Sequence, residues 1–120
     1  MNKDATVVKS VDTSDLKSDS VMECQFDSGQ SHQKIQEILD ILQEECAEVI
    51  QNISKCRRFG MENVYLKGIG TQREQLVQEI GDVLLLVELL QAHQVFTEKE
   101  LREAMTRKGA KLAQWSKIYD

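Results

Sequence analysis

The sequence has no proline and only six glycines in 120 residues, so little in it interrupts long helices. Its three cysteines, Cys24, Cys46 and Cys56, form neither an even set nor a CxxC motif. That spacing points away from a disulfide scaffold or a zinc knuckle and reads as a reduced, cytoplasmic-type chain. Positive charge is scarce. Fifteen Lys and Arg stand against 20 Asp and Glu, for a net charge of -5 and a pI near 5.1. Such a balance argues against a nucleic-acid polymer or a membrane surface as partner, but not against a small anion at a local basic patch. The longest apolar run, Val83 to Val87 and then Leu89-Leu90, is broken by Glu88 and falls far short of a membrane span. No apolar segment of a secretory signal is visible near the start, so a cytoplasmic location is expected. The length predicts one domain with a modest core.

What the chain does have is acid set on apolar stripes. Ile35, Ile38, Leu42, Val49 and Ile53 recur at helical spacing. Glu45 lies three residues after Leu42 and four before Val49, where a core residue is expected. Glu48 follows at i+3, so two carboxylates share a helix face turned toward the interior or a cleft in it. An ionised carboxylate there is costly unless it is paired or holds a metal. Glu79-Ile80-Gly81-Asp82 repeats the device just before Val83–Val87, an apolar run that predicts a helix buried all round. Two such helices packed antiparallel bring four carboxylates together. The bland alternative is a solvated acidic face, or one that meets lysines of a neighbour. Two pairs, each beside an apolar stripe, favour a metal.

The expected fold is all-α: a helical bundle of three long helices with room for a short N-terminal element. Residues 1–29 are rich in Ser, Asp and Lys. They are expected to form a poorly ordered tail to Ser20 and a docking segment over Val21 to Gly29, where a short strand or helical turn is equally open. Residues 30–120 carry the folded domain. Its first helix should run from about Ser31 to Arg58, with Gly60 as C-terminal cap and Lys55, Arg57 and Arg58 suiting the dipole. Met61 to Gly70 reads as a loop with a turn at Val64-Tyr65-Leu66. Thr71-Gln72-Arg73-Glu74 is a capping box that opens a second helix, to about Gln94. Gly81 inside it costs about 1 kcal/mol relative to alanine, which suggests a neighbour or ligand in close approach. Thr97-Glu98-Lys99-Glu100 opens the last helix, to about Ile118. No strand-like alternation and no internal repeat competes with this.

Oxygen-only ligands suit Mg²⁺ or Mn²⁺, with waters and phosphates completing the shell. A di-iron bundle needs Glu-x-x-His on two helices, and neither His32 nor His93 follows a Glu at that spacing. Zinc lacks a Cys/His cluster. Basic residues are placed to meet a phosphate chain. Lys55 lies seven residues after Glu48, on the same face and roughly 10 Å along the axis. Arg58 is one turn further, and Lys108 and Lys111 share a face of the last helix. An ordinary cationic helix end and a solvated face explain these four residues as well. Trp115 is expected in the core.

Together, EExxE at Glu44 to Glu48 and ExxD at Glu79 to Asp82 resemble the MazG-like all-α nucleoside triphosphate pyrophosphohydrolase superfamily. Its members include dimeric dUTPases, dCTP pyrophosphatases and phosphoribosyl-ATP pyrophosphohydrolase. The strings LQEECAEVIQNISKCRRFG and LVQEIGDVLLLVELL look like those of short, single-domain phage-type members, over roughly Lys34 to Trp115. The resemblance implies that Glu45, Glu48, Glu79 and Asp82 hold two or more Mg²⁺, with Mn²⁺ as substitute. It makes Glu44 or Glu48 the group that orients or deprotonates the attacking water. Lys55, Arg58, Lys108 and Lys111 would serve the phosphates, and Asn52, Phe59 and Asn63 belong to the region that reads the base. The reaction implied turns a nucleoside triphosphate, with a purine deoxynucleotide such as dGTP as first candidate, into monophosphate and pyrophosphate. A homodimer or homotetramer completes the bundle, in the host cytoplasm if the gene is a phage's. One departure is Leu89, where many members carry an Asn; it removes that side chain's contact and leaves the metal set intact. The rival function is a non-catalytic helical oligomerisation module or nucleotide-binding regulatory module, its acidic clusters solvated.

Overall fold

The computed structural model describes the backbone of residues 16–120 apart from 67 and 69. It describes side chains from residue 29 onward, apart from 65–67 and 69. The first 15 residues of the expected tail, and the Cys24 side chain, lie outside the described residues. The fold is all-α, built from α1 (Leu16–Phe59), α2 (Gln72–Ala92) and α3 (Glu98–Trp115). No helix among the described residues is long and apolar enough to cross a membrane.

Helix α1 starts at Leu16, well before the expected Ser31. Over residues 16–29 the backbone is helical, so where the sequence leaves a short strand or a helical turn open over Val21 to Gly29 the chain is helix. The polar composition hid this, because a stretch without apolar periodicity gives no helical signal. Nothing stops the helix either: there is no proline, and Gly29 alone costs about 1 kcal/mol. The chain divides into two units, Met1–Glu37 and Ile38–Asp120. The described part of the first is helical backbone, with Ile35 half-buried.

The second unit holds everything that positions the site. Arg57 and Arg58 occupy the last turn of α1, and Gly60 ends the helix. It adopts φ 92° and donates its N–H to the Cys56 carbonyl at 2.9 Å, a left-handed cap that a side chain would strain. The expected loop contains a small antiparallel ribbon, β1 (Val64–Leu66) paired with β2 (Gly70–Thr71). Strands of three and two residues are too short to show alternation, which is why the sequence reads as a loop there. The ribbon delivers Thr71 as N-cap of α2. Its hydroxyl accepts from Glu74 N at 3.1 Å, and the Glu74 carboxylate accepts from Thr71 N at 2.9 Å. Loop carbonyls take the next two donors, Gln72 N to Asn63 O and Arg73 N to Met61 O, both 2.8 Å. The opening turn of α2 thus has its amides satisfied before any ligand arrives.

Helix α2 ends at Ala92, followed by Gln94 at φ 63°, two residues before the expected end, within the usual fraying of helix termini. The Thr97 capping box opens α3 as expected, with Glu100 N donating to Thr97 Oγ1 at 3.1 Å. This helix stops at Trp115 and not Ile118. Ser116 turns extended, and its hydroxyl accepts from Ile118 N at 3.2 Å, a local bond that competes with another helical turn.

The buried set comprises Ile38, Cys56, Leu86 and Leu90, with the polar Asn52 and Gln72. This corrects the expectation of a helix buried all round. Leu84 and Leu85 are each 56% exposed, and Val77 and Ile80 are exposed as well. One chain supplies α2 with cover on a single stripe. Trp115, expected in the core, is 63% exposed with the Lys108 ammonium 5.4 Å from its ring centroid. Gly81 has open space where a side chain would stand, so none of the described residues supplies the close neighbour expected there. Of the two described cysteines, Cys56 is buried and Cys46 exposed.

Candidate metal centre

Helices α1 and α2 meet at two levels. At the first, the Asn52 amide nitrogen lies 3.5 Å from Gln72 Oε1, and the Cys56 sulfur lies 3.7 Å from Asn52 Oδ1 and 3.6 Å from the Gln72 carbonyl. Asn52 is 4% and Gln72 3% exposed. The second level lies seven residues away on both helices, back from Asn52 to Glu45 and on from Gln72 to Glu79. Seven residues return to the same helix face two turns later. The two levels are therefore rungs of one antiparallel register, which also brings Ile38 level with Leu86, both buried.

On the carboxylate rung, Glu45, Glu79 and Asp82 are half-buried and each offers an oxygen within 4.8 Å of the others. Their environment is electrostatically hostile to three ionised acids. Desolvation on the helix face, then the charges of Asp82, Glu79 and Glu48, and a hydrogen bond to Asp82 hold Glu45 above the usual carboxylate range. Glutamine amides steady the outer oxygens. Gln75 Nε2 donates to Glu79 Oε2 at 3.0 Å, and Gln78 Nε2 to Asp82 Oδ1 at 3.2 Å. Sequence reasoning missed both, although each glutamine stands four residues before its acid, a helical neighbour position.

No histidine or cysteine belongs to this group, and three crowded carboxylate oxygens suit a hard divalent ion. The family model of the MazG nucleotide pyrophosphohydrolase domain matches residues 33–114, most of the chain. The chain belongs to that family. No curated protein and no solved structure matches it significantly. A divalent metal is the general requirement of MazG domains, and the donor chemistry of Glu45, Glu79 and Asp82 fits one.

The remaining anticipated residues of the MazG domain are placed unevenly. Glu48 is exposed, yet its charge reaches Glu45; Glu44 is also exposed. Lys55 is half-buried near the end of α1. Arg58 is exposed, its guanidinium 4.8 Å from the Phe59 ring centroid. Lys108 and Lys111 are exposed on α3, a helix with no fully buried residue, and Lys108 sits over Trp115. Asn52, anticipated near the base, is buried in the amide rung. The burial follows from its i+7 spacing to Glu45 on the interior face of α1.

Proposed function

We propose that residues 30–120 form a Mg²⁺-dependent nucleoside triphosphate pyrophosphohydrolase that releases pyrophosphate and a monophosphate. The observation that carries this reading is the convergence of Glu45, Glu79 and Asp82 within 4.8 Å, in a chain that the MazG family model matches over residues 33–114. A bound Mg²⁺, or Mn²⁺ in its place, supplies charge neutralisation for the triphosphate and a more acidic bound water. Glu45, Glu79 and Asp82 hold it, with Glu48 completing the set from one turn along α1. Glu44 or Glu48, both exposed, accepts the proton of the water that attacks the α-phosphorus. Lys55, Arg58, Lys108 and Lys111 meet the phosphates, and the lysines of α3 reach them in a homodimer or homotetramer. A purine deoxynucleotide such as dGTP is the first substrate to test.

The test is pyrophosphate release from a panel of NTPs and dNTPs with Mg²⁺ or Mn²⁺, run beside Glu45→Gln. Pyrophosphate from one or a few substrates, and none from the variant, establishes the reaction and the base together. Orthophosphate alone replaces the reading with a phosphohydrolase that cuts at the γ-phosphorus, and silence with both metals leaves a modified nucleotide substrate or a binding or oligomerisation module.

A further inference from the structure

We propose that Asn52 and Gln72, steadied by Cys56, are the register key of the α1–α2 pair. This buried amide rung holds Glu45 level with Glu79 and Asp82, and so positions the metal centre without touching it.

The other described side chains between the two helices do not choose this register. Along α2, apolar side chains stand at Val83 to Val87 and again at Leu89-Leu90, so a slide by one turn exchanges one leucine for another. The carboxylate rung opposes it outright, since three acids within 4.8 Å repel one another. Among the described side-chain contacts between the two helices, the amide rung is the one that a slide would break, and it adds to the backbone bonds that hold the first turn of α2 to the loop. A slip of one turn, about 5.4 Å, would strand two buried amides without partners, an expensive outcome in a dry interface. The Cys56 sulfur lies between the two partners, 3.7 Å from Asn52 Oδ1 and 3.6 Å from the Gln72 carbonyl. Gln72 itself is fixed from outside the pair, because its N–H is held by Asn63 O. Fixing register is the best-attested use of a buried polar residue between helices.

The inference rests on the metal-centre reading for its consequence, and on the amides alone for the register. Its test uses the full chain carrying Cys24→Ser and Cys46→Ser, with nitroxides on Ser54→Cys and Glu88→Cys, both exposed positions. Labelled chain is diluted into unlabelled chain so that pulsed EPR reads distances within one molecule. The parent should give one narrow distance. Asn52→Leu with Gln72→Leu should move or broaden it by about 5 Å, the rise of one turn. Mn²⁺ affinity should fall about 10- to 100-fold, while metal-free helicity and Tm hold, as expected when leucines replace a buried polar pair. Exchanging the amides, Asn52→Gln with Gln72→Asn, should restore both distance and affinity.

A folded leucine pair with the parent's distance distribution overturns the proposal, and so does a moved distance with full Mn²⁺ affinity. If the leucine pair does not fold, Asn52→Ala is read in the same way. If the parent binds no Mn²⁺ but its distance still follows the amides, the metal reading fails and the register key stands.

Discussion

At Glu45, loss of water and three neighbouring acids act in one direction, so its folded-state proton affinity exceeds that of the unfolded chain. For a carboxylate with a raised value, the favourable contribution is complete below its ordinary value of 4.5 and is lost as pH rises through the folded one. Metal-free Glu45→Gln should therefore melt above wild type at pH 7, with the gap closing as pH falls toward 4.5; calorimetry across that window checks the sign. The same substitution should abolish stabilisation by Mn²⁺ and lower pyrophosphate release by about 100-fold or more, the scale of losing one group that organises transition-state charge. Glu48→Gln separates two roles. If Glu48 handles the proton, turnover falls while the Mn²⁺-induced rise in Tm persists; loss of both makes it a ligand. That Glu45, Glu79 and Asp82 come together was legible in the sequence because i, i+3 spacing on an apolar stripe is a local pattern. Asn52 was not, since its partner Gln72 lies across a hairpin that spacing does not reveal.

Helix α2 owes its position to its first turn, and there the local code is strict. Gly70 adopts φ 120°, and a Cβ on it would collide with the Glu74 carboxylate that closes the capping box. Gly70→Ala should cost about 1–3 kcal/mol, the range for a residue held in a sparsely populated backbone region. Thr71→Ala should cost about 1 kcal/mol, and urea unfolding measures both. Thr97→Ala removes the equivalent box on α3, which buries no residue fully, and should leave Mn²⁺ affinity unchanged. These caps, and the glycine that ends α1, were legible because each is written in four or five consecutive residues. The ribbon between Val64 and Thr71 was not. Strands that short are imposed by closing the loop and carry no period of their own.

At the scale of the whole molecule, the described residues leave a broad apolar surface exposed. Val77 and Ile80 are exposed together with Leu84 and Leu85 on α2, as is Ile50 on α1, a surface of the kind that marks an interface. Wild-type protein should scatter light at a multiple of the 13.7 kDa chain mass, and Leu84→Glu with Ile80→Glu should return it to a single chain. Apolar periodicity correctly marked α2 as a helix. It did not reveal that Leu84 and Leu85 would stand exposed on the described fold, because an apolar run marks a helix without saying what packs against it. The start of α2 carries a different consequence. Opening amides of a helix normally exchange with deuterium fastest, because nothing accepts from them. Those of Gln72, Arg73 and Glu74 are each held, by Asn63, Met61 and Thr71. They should exchange as slowly as amides in the middle of α2, so that local opening of the domain begins elsewhere.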